Sequence, residues 1–106
     1  MQNEFTAGNS LSSHTILYLD DNLPNLSLFK ETFREQYDID IESVPSRALN
    51  QIIKKEYKII LVDYLMPGMN GLEFIQKAVE FKPDSIYMII TAFPDLEVTL
   101  SALDQG

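Results

Sequence analysis

Asp20, Asp21 and Asp63 are the residues of this sequence best placed to do chemistry, with Thr91 as their companion. Each closes a short apolar run. Asp20-Asp21 follows Thr15-Ile16-Leu17-Tyr18-Leu19, Asp63 follows Ile59-Ile60-Leu61-Val62, and Thr91-Ala92 follows Ser85-Ile86-Tyr87-Met88-Ile89-Ile90. Three carboxylates drawn to one point repel one another, and each favours a proton unless a cation joins them. Oxygen donors of this kind select a hard cation, and Mg²⁺ fits best because it takes one or two carboxylates and keeps several waters. The chain has no cysteine and a single histidine, His14, so zinc and copper fit poorly. A carboxylate beside Mg²⁺ can also act as a nucleophile and become an aspartyl phosphate, while the metal neutralises charge on the transferring group. Asp63 is the candidate nucleophile, and Thr91 offers a hydroxyl to the phosphoryl oxygens.

Taken singly, each signal has an ordinary reading. Asp-Asp before a helix is most often a cap and a dipole partner. Pro67-Gly68 and Asn70-Gly71 are common turn pairs, and a lone threonine carries no information. His14 reads as a solvated residue at a strand edge. Only the combination, a polar residue at the end of each apolar run, points to a site.

Elements must then bring these residues together. The runs at 15–19, 59–62 and 85–90 suit strands buried on both faces. Ile39-Asp40-Ile41-Glu42-Ser43-Val44 alternates and suits a half-covered edge strand. Leu26, Phe29, Phe33 and Tyr37 recur at helical spacing after Asn22, a plausible N-cap, with Pro24 in the first turn. Ser46 is expected to cap a helix carrying Ala48, Leu49, Ile52 and Ile53 and ending near Lys54-Lys55. A third helix carries Leu72, Ile75, Ala78 and Val79, and a last one carries Leu96, Leu100 and Leu103 up to Gly106. The order β-α-β-α-β-α-β-α implies an α/β fold with a parallel sheet and helices on both faces. In open sheets of this kind the site lies at the carboxyl ends of the strands, where Asp20-Asp21, Asp63 and Thr91 all fall.

Composition sets bounds. The 106 residues make one domain, with 45% hydrophobic and 23% charged residues, as in soluble globular proteins. Sixteen acidic against eight basic residues give a formal charge of -8, which repels a phosphate backbone and argues against direct nucleic-acid binding. No apolar run suits a membrane span and residues 1–13 lack a signal-peptide pattern, so a cytoplasmic location is expected. Residues 1–13 read as a polar, flexible tail, and 14–106 as the folded domain.

The segments Ile16-Leu17-Tyr18-Leu19-Asp20-Asp21, Leu61-Val62-Asp63-Tyr64-Leu65-Met66-Pro67-Gly68-Met69-Asn70-Gly71 and Ile89-Ile90-Thr91-Ala92 resemble the receiver domain of two-component response regulators. The resemblance runs from about Thr15 to Gly106. It implies a flavodoxin-like sheet of order 2-1-3-4-5, with Asp63 phosphorylated by a histidine kinase or a small phosphodonor. It implies Mg²⁺ held by Asp21, Asp63 and the backbone carbonyl of Leu65, with Asp20 assisting through a water. Thr91 and Ala92 would contact the phosphoryl group and relay its presence, and Pro67, Gly68 and Gly71 would shape the loop. The family also has a fifth strand and helix, and that strand carries a lysine which pairs with the phosphoryl group. Residues 1–106 stop before that unit, so the expected order here is 2-1-3-4. An output domain, or another copy of the chain, is then expected to cover the exposed flank.

Three functions compete. The first is a phosphoacceptor domain that is not itself an enzyme. The second is a pseudo-receiver that binds proteins without being phosphorylated. The third is a Mg²⁺-dependent phosphohydrolase, which usually carries a second aspartate two residues after its nucleophile. Leu65 stands there instead, so this reading ranks last.

Overall fold

Parallel strands and amphipathic helices alternate through the computed structural model, which describes residues 14–91. The elements are β1 (Thr15–Leu19), α1 (Leu23–Phe33), β2 (Asp38–Glu42), α2 (Pro45–Lys54), β3 (Ile59–Asp63), α3 (Gly71–Phe81) and β4 (Ile86–Ile90). The four strands form one sheet of order β2-β1-β3-β4, every pair parallel. The tail at 1–13, Ala92 and the helix expected through Leu96, Leu100 and Leu103 lie outside the described residues.

Register fixes which side chains share a face. Leu17 stands beside Ile60 and Leu19 beside Val62, while Ile16 stands beside Ile59 and Tyr18 beside Leu61. The first set packs with Ala48 and Ile52 of α2, Phe74 and Ala78 of α3, and the loop residues Tyr57 and Met66. The second set, Ile16, Tyr18 and Leu61, packs with Ile39, Leu26 and the partly buried Phe29 of α1. Full burial of a Leu, Ile, Val or Phe side chain stabilises by about 1.5–3 kcal/mol, so this two-sided core supplies the main driving force.

Local chemistry sets the helix starts. The Asn22 side chain accepts from the Asn25 backbone N–H at 3.0 Å, as its sequence position suggests. Asn70 and Glu73 form a reciprocal capping box, with both bonds at 2.9 Å. At α2 the expected Ser46 cap is replaced. The helix begins at Pro45, and Val44 in the cap position makes no side-chain bond. The Glu42 carboxylate accepts from the Ser43 and Val44 N–H groups instead, at 2.8 and 3.0 Å. Proline fixes its own φ at a helical value and has no N–H to satisfy, so the helix starts one residue before Ser46.

Other expectations are corrected. Tyr37 lies beyond α1, because the N–H groups of Gln36 and Tyr37 both donate to the Phe33 carbonyl and close the chain into a turn. In α3 the fully buried side chains are Phe74 and Ala78, and Val79 is exposed. Gly71, Phe74 and Ala78 form the inward stripe, where two small residues let the helix approach and one large ring fills the gap. The run at 86–90 is not covered on both faces, since Ile86 and Met88 are each 51% exposed. They share the α1 side of the sheet, where α1 lies chiefly against β2 and β1 and, of β4, only Ile90 joins its cluster among the described residues. His14 is half-buried, with its ring edge-on to Tyr37, rather than solvated.

Candidate functional site

The parallel sheet brings the carboxyl ends of β1 and β3 side by side. Asp20 follows the last residue of β1, Asp63 ends β3, and both are buried, at 2% and 8% exposure. Asp21 stands exposed next to them. One carboxylate oxygen from each of the three lies within 4.8 Å of the others. Thr91 directly follows β4, and Ile90 is the register partner of Asp63. The Tyr64 N–H donates to the Ile90 carbonyl at 2.9 Å, which fixes Thr91 at the same sheet edge.

The loop after Asp63 is held from both ends. Gly68 adopts φ +81°, a left-handed conformation that a side chain disfavours. Met66 turns into the core, while the Leu65 side chain stays half-exposed. The Gly71 N–H donates to the Tyr64 carbonyl at 2.9 Å and closes the loop. A Cβ on Gly71 would stand 2.9 Å from the Asp63 carbonyl oxygen and 3.1 Å from the Tyr64 Cα. Only glycine lets α3 begin this close to the end of β3. Pro67 and Gly68 form the turn between Met66 and Met69.

Electrostatics follow from the crowding. Burial, the Asp20 charge, a hydrogen bond with Asp20 and the Asp21 charge together push the Asp63 carboxyl up to about 6, against one opposing backbone hydrogen bond from Leu65. The cluster is therefore short of positive charge. Three oxygens at this spacing, with no nitrogen or sulfur donor among them, fit a hard divalent cation, and Mg²⁺ in particular.

Asp20 also has partners that the apolar run concealed. The Tyr18 hydroxyl donates to its Oδ2 at 2.6 Å, and the Asn25 side chain donates to the same oxygen at 3.3 Å. The Asn22 N–H donates to Oδ1 at 2.9 Å. Burial, with the nearby Asp20 and Asp63 charges, holds the Tyr18 phenol well above its usual range, so it is a donor at neutral pH. The missed signal was a hydroxyl in an otherwise aliphatic run, two residues before an aspartate and so on the same side of the strand. Tyr18, Asp20, Asn25, Phe29, Asp63 and Ile90 are among the walls of a cleft of about 440 Å³ that opens beside the acidic cluster.

An acidic edge at the carboxyl ends of a parallel sheet of this order also defines a group of known proteins. The response regulator receiver domain matches residues 16–106. Response regulator ArlR of Staphylococcus saprophyticus is 34% identical over 93 residues, covering 86% of this chain and 41% of ArlR. A structure described as adenylate cyclase from Rhodopirellula baltica shares 33% identity with a TM-score of 0.80, covering 88% of this chain and 70% of that one. A CheY-like receiver domain protein from Methanospirillum hungatei shares 26% identity with a TM-score of 0.77, covering 88% of this chain and 75% of that one. The chain belongs to the response regulator receiver domain family. It spans less than half the length of the curated relatives it matches. Its fold is the flavodoxin-like one of those receivers, and its general place is in two-component signalling.

Proposed function

We propose that this receiver accepts a phosphoryl group on Asp63 from a histidine kinase. The observation that carries this reading is the burial of Asp63 at the end of β3 with carboxylate oxygens of Asp20 and Asp21 within 4.8 Å. An Asp63 oxygen would attack the phosphorus of a phosphohistidine. The P–O bond forms as the P–N bond breaks, and the electron pair leaves with the imidazole nitrogen, which takes up a proton. Asp20, Asp21, Asp63 and the Leu65 carbonyl would hold Mg²⁺, which when bound supplies charge neutralisation at the phosphoryl oxygens. The Thr91 hydroxyl would hydrogen-bond one of those oxygens, and Ala92 would leave room for it. Gly68 and Gly71 let the backbone between Asp63 and α3 lie close to the transferring group.

The parent protein's output is a further part of this reading. The half-open flank of β4 and the α1 side of the sheet offer a place for the family's lysine-bearing fifth unit, supplied by further chain or by another molecule. The likeness to the Rhodopirellula structure supports an output in cyclic-nucleotide chemistry. A cytoplasmic site of action fits a kinase-linked receiver. No helix among the described residues is long and apolar enough to cross a membrane.

Incubation with Mg²⁺ and a small acyl phosphate tests the phosphoacceptor role by intact mass. A gain of one phosphoryl group, absent in Asp63→Asn, is expected of the chain extended through the fifth unit. No adduct in that chain leaves the alternative, a protein-binding module that is not phosphorylated.

A further inference from the structure

The Tyr18 hydroxyl is a built contact to the acidic cluster for which the phosphoryl-transfer reading has no role. We infer that Tyr18 is a positioning residue for the cation site, fixing the Asp20 carboxylate so that its remaining lone pair faces Asp21 and Asp63. This rests on the proposal that the cluster holds Mg²⁺, and it assigns a further residue to that site.

Geometry carries the inference. An ionised carboxylate has about four acceptor positions. Tyr18 and Asn25 occupy Oδ2, and the Asn22 N–H occupies Oδ1. About one position remains, the one that meets Asp63 in the cation-free protein, and it is the position a cation or its water would take. The three donors differ in rigidity. Asn22 is exposed and Asn25 half-buried at the start of α1, whereas Tyr18 is the penultimate residue of β1 and only 5% exposed. Its ring meets Phe29 edge-on at 4.9 Å, and Phe29 in turn packs on Phe33 at 5.0 Å. The hydroxyl is therefore aimed by the sheet on one side and by α1 on the other. Its 2.6 Å bond is also the shortest of the three to Asp20. Partners that orient a metal-ligating carboxylate commonly contribute about 10–100-fold to metal affinity.

The competing account is that Tyr18 is a core residue whose hydroxyl takes the nearest acceptor. Tyr18→Phe separates the two, because it keeps the ring and deletes only the donor. Mg²⁺ affinity is measured by calorimetry on wild type, Tyr18→Phe, Asp20→Asn and the double variant, with cooperative unfolding checked for each. A positioning role predicts a loss of about tenfold in Tyr18→Phe. It also predicts no further loss when Tyr18→Phe is added to Asp20→Asn, since the hydroxyl acts through that carboxylate. Unchanged affinity in Tyr18→Phe overturns the role while leaving the cation site intact. An additive loss in the double variant overturns it as well, because the effect then does not pass through Asp20. If Tyr18→Phe does not unfold cooperatively, Phe29→Leu replaces it, keeping the hydroxyl but loosening its support, and unchanged affinity there overturns the role. A wild-type chain that binds no Mg²⁺ overturns both this inference and the cation part of the proposed function.

Discussion

Asp63 gains a proton more readily in the folded protein than in the unfolded chain, and this has a measurable sign. Its folded value is raised to about 6, so the ionised form costs stability at neutral pH. As pH falls through 6 that cost is relieved, and the gain ends near the ordinary carboxylate value of about 4. Between pH 7 and pH 5 the cation-free protein should gain about 1 kcal/mol of unfolding free energy, measured by urea denaturation. Asp63→Asn should flatten this slope, and saturating Mg²⁺ should remove it by stabilising the protein at pH 7 through mass action. Asp40 does not obscure the window. Burial pushes it up, but hydrogen bonds from Tyr57 and Lys55 outweigh that and hold it below its usual range. Its contribution is lost only as pH falls through that lowered value, below the interval in which Asp63 titrates. A cation-free stability that falls between pH 7 and pH 5 would show that the acidic cluster is not the crowded site described above.

At the scale of elements, the junction of β3 and α3 is the most constrained. Gly71→Ala should destabilise by about 1–3 kcal/mol, because the new methyl meets backbone atoms rather than a movable side chain. Asn70→Ala removes one half of the capping box and should cost about 1 kcal/mol in thermal or chemical unfolding. Much of this scale could be read beforehand. Ile59 to Val62 and Thr15 to Leu19 are continuous apolar runs bounded by aspartates, and such runs have few alternatives to an interior parallel strand. The inward face of α3 was harder, because Phe74 and Ile75 are adjacent apolar residues. Two small residues at 71 and 78, rather than hydrophobicity, decide which of them turns inward. The exposure of Ile86 and Met88 was not legible either, because an apolar strand does not state whether a helix lies above it. Tyr18 was hidden for a related reason, its ring having the apolar character of its neighbours and only its hydroxyl belonging to the site.

Across the whole molecule the two sheet edges are unlike. β2 carries Asp38, Asp40 and Glu42, and charges of this kind discourage pairing with another chain. β4 reads Ile-Tyr-Met-Ile-Ile and carries none. Met88→Lys should change the unfolding free energy by no more than about 0.5 kcal/mol, since that side chain is half in solvent. The same change should weaken any concentration-dependent self-association seen by sedimentation. The two faces of the sheet are also unequal. Among the described residues the α2 and α3 side gathers ten buried side chains and the α1 side five. Amide hydrogen exchange should therefore find a sub-global opening in which α1 detaches while α2 and α3 stay protected. That opening would withdraw Asn22 and Asn25 from Asp20 and leave Tyr18 without its ring partner. A cation bound at the sheet edge would then act at a distance as a latch, slowing exchange along a helix that supplies none of its carboxylates.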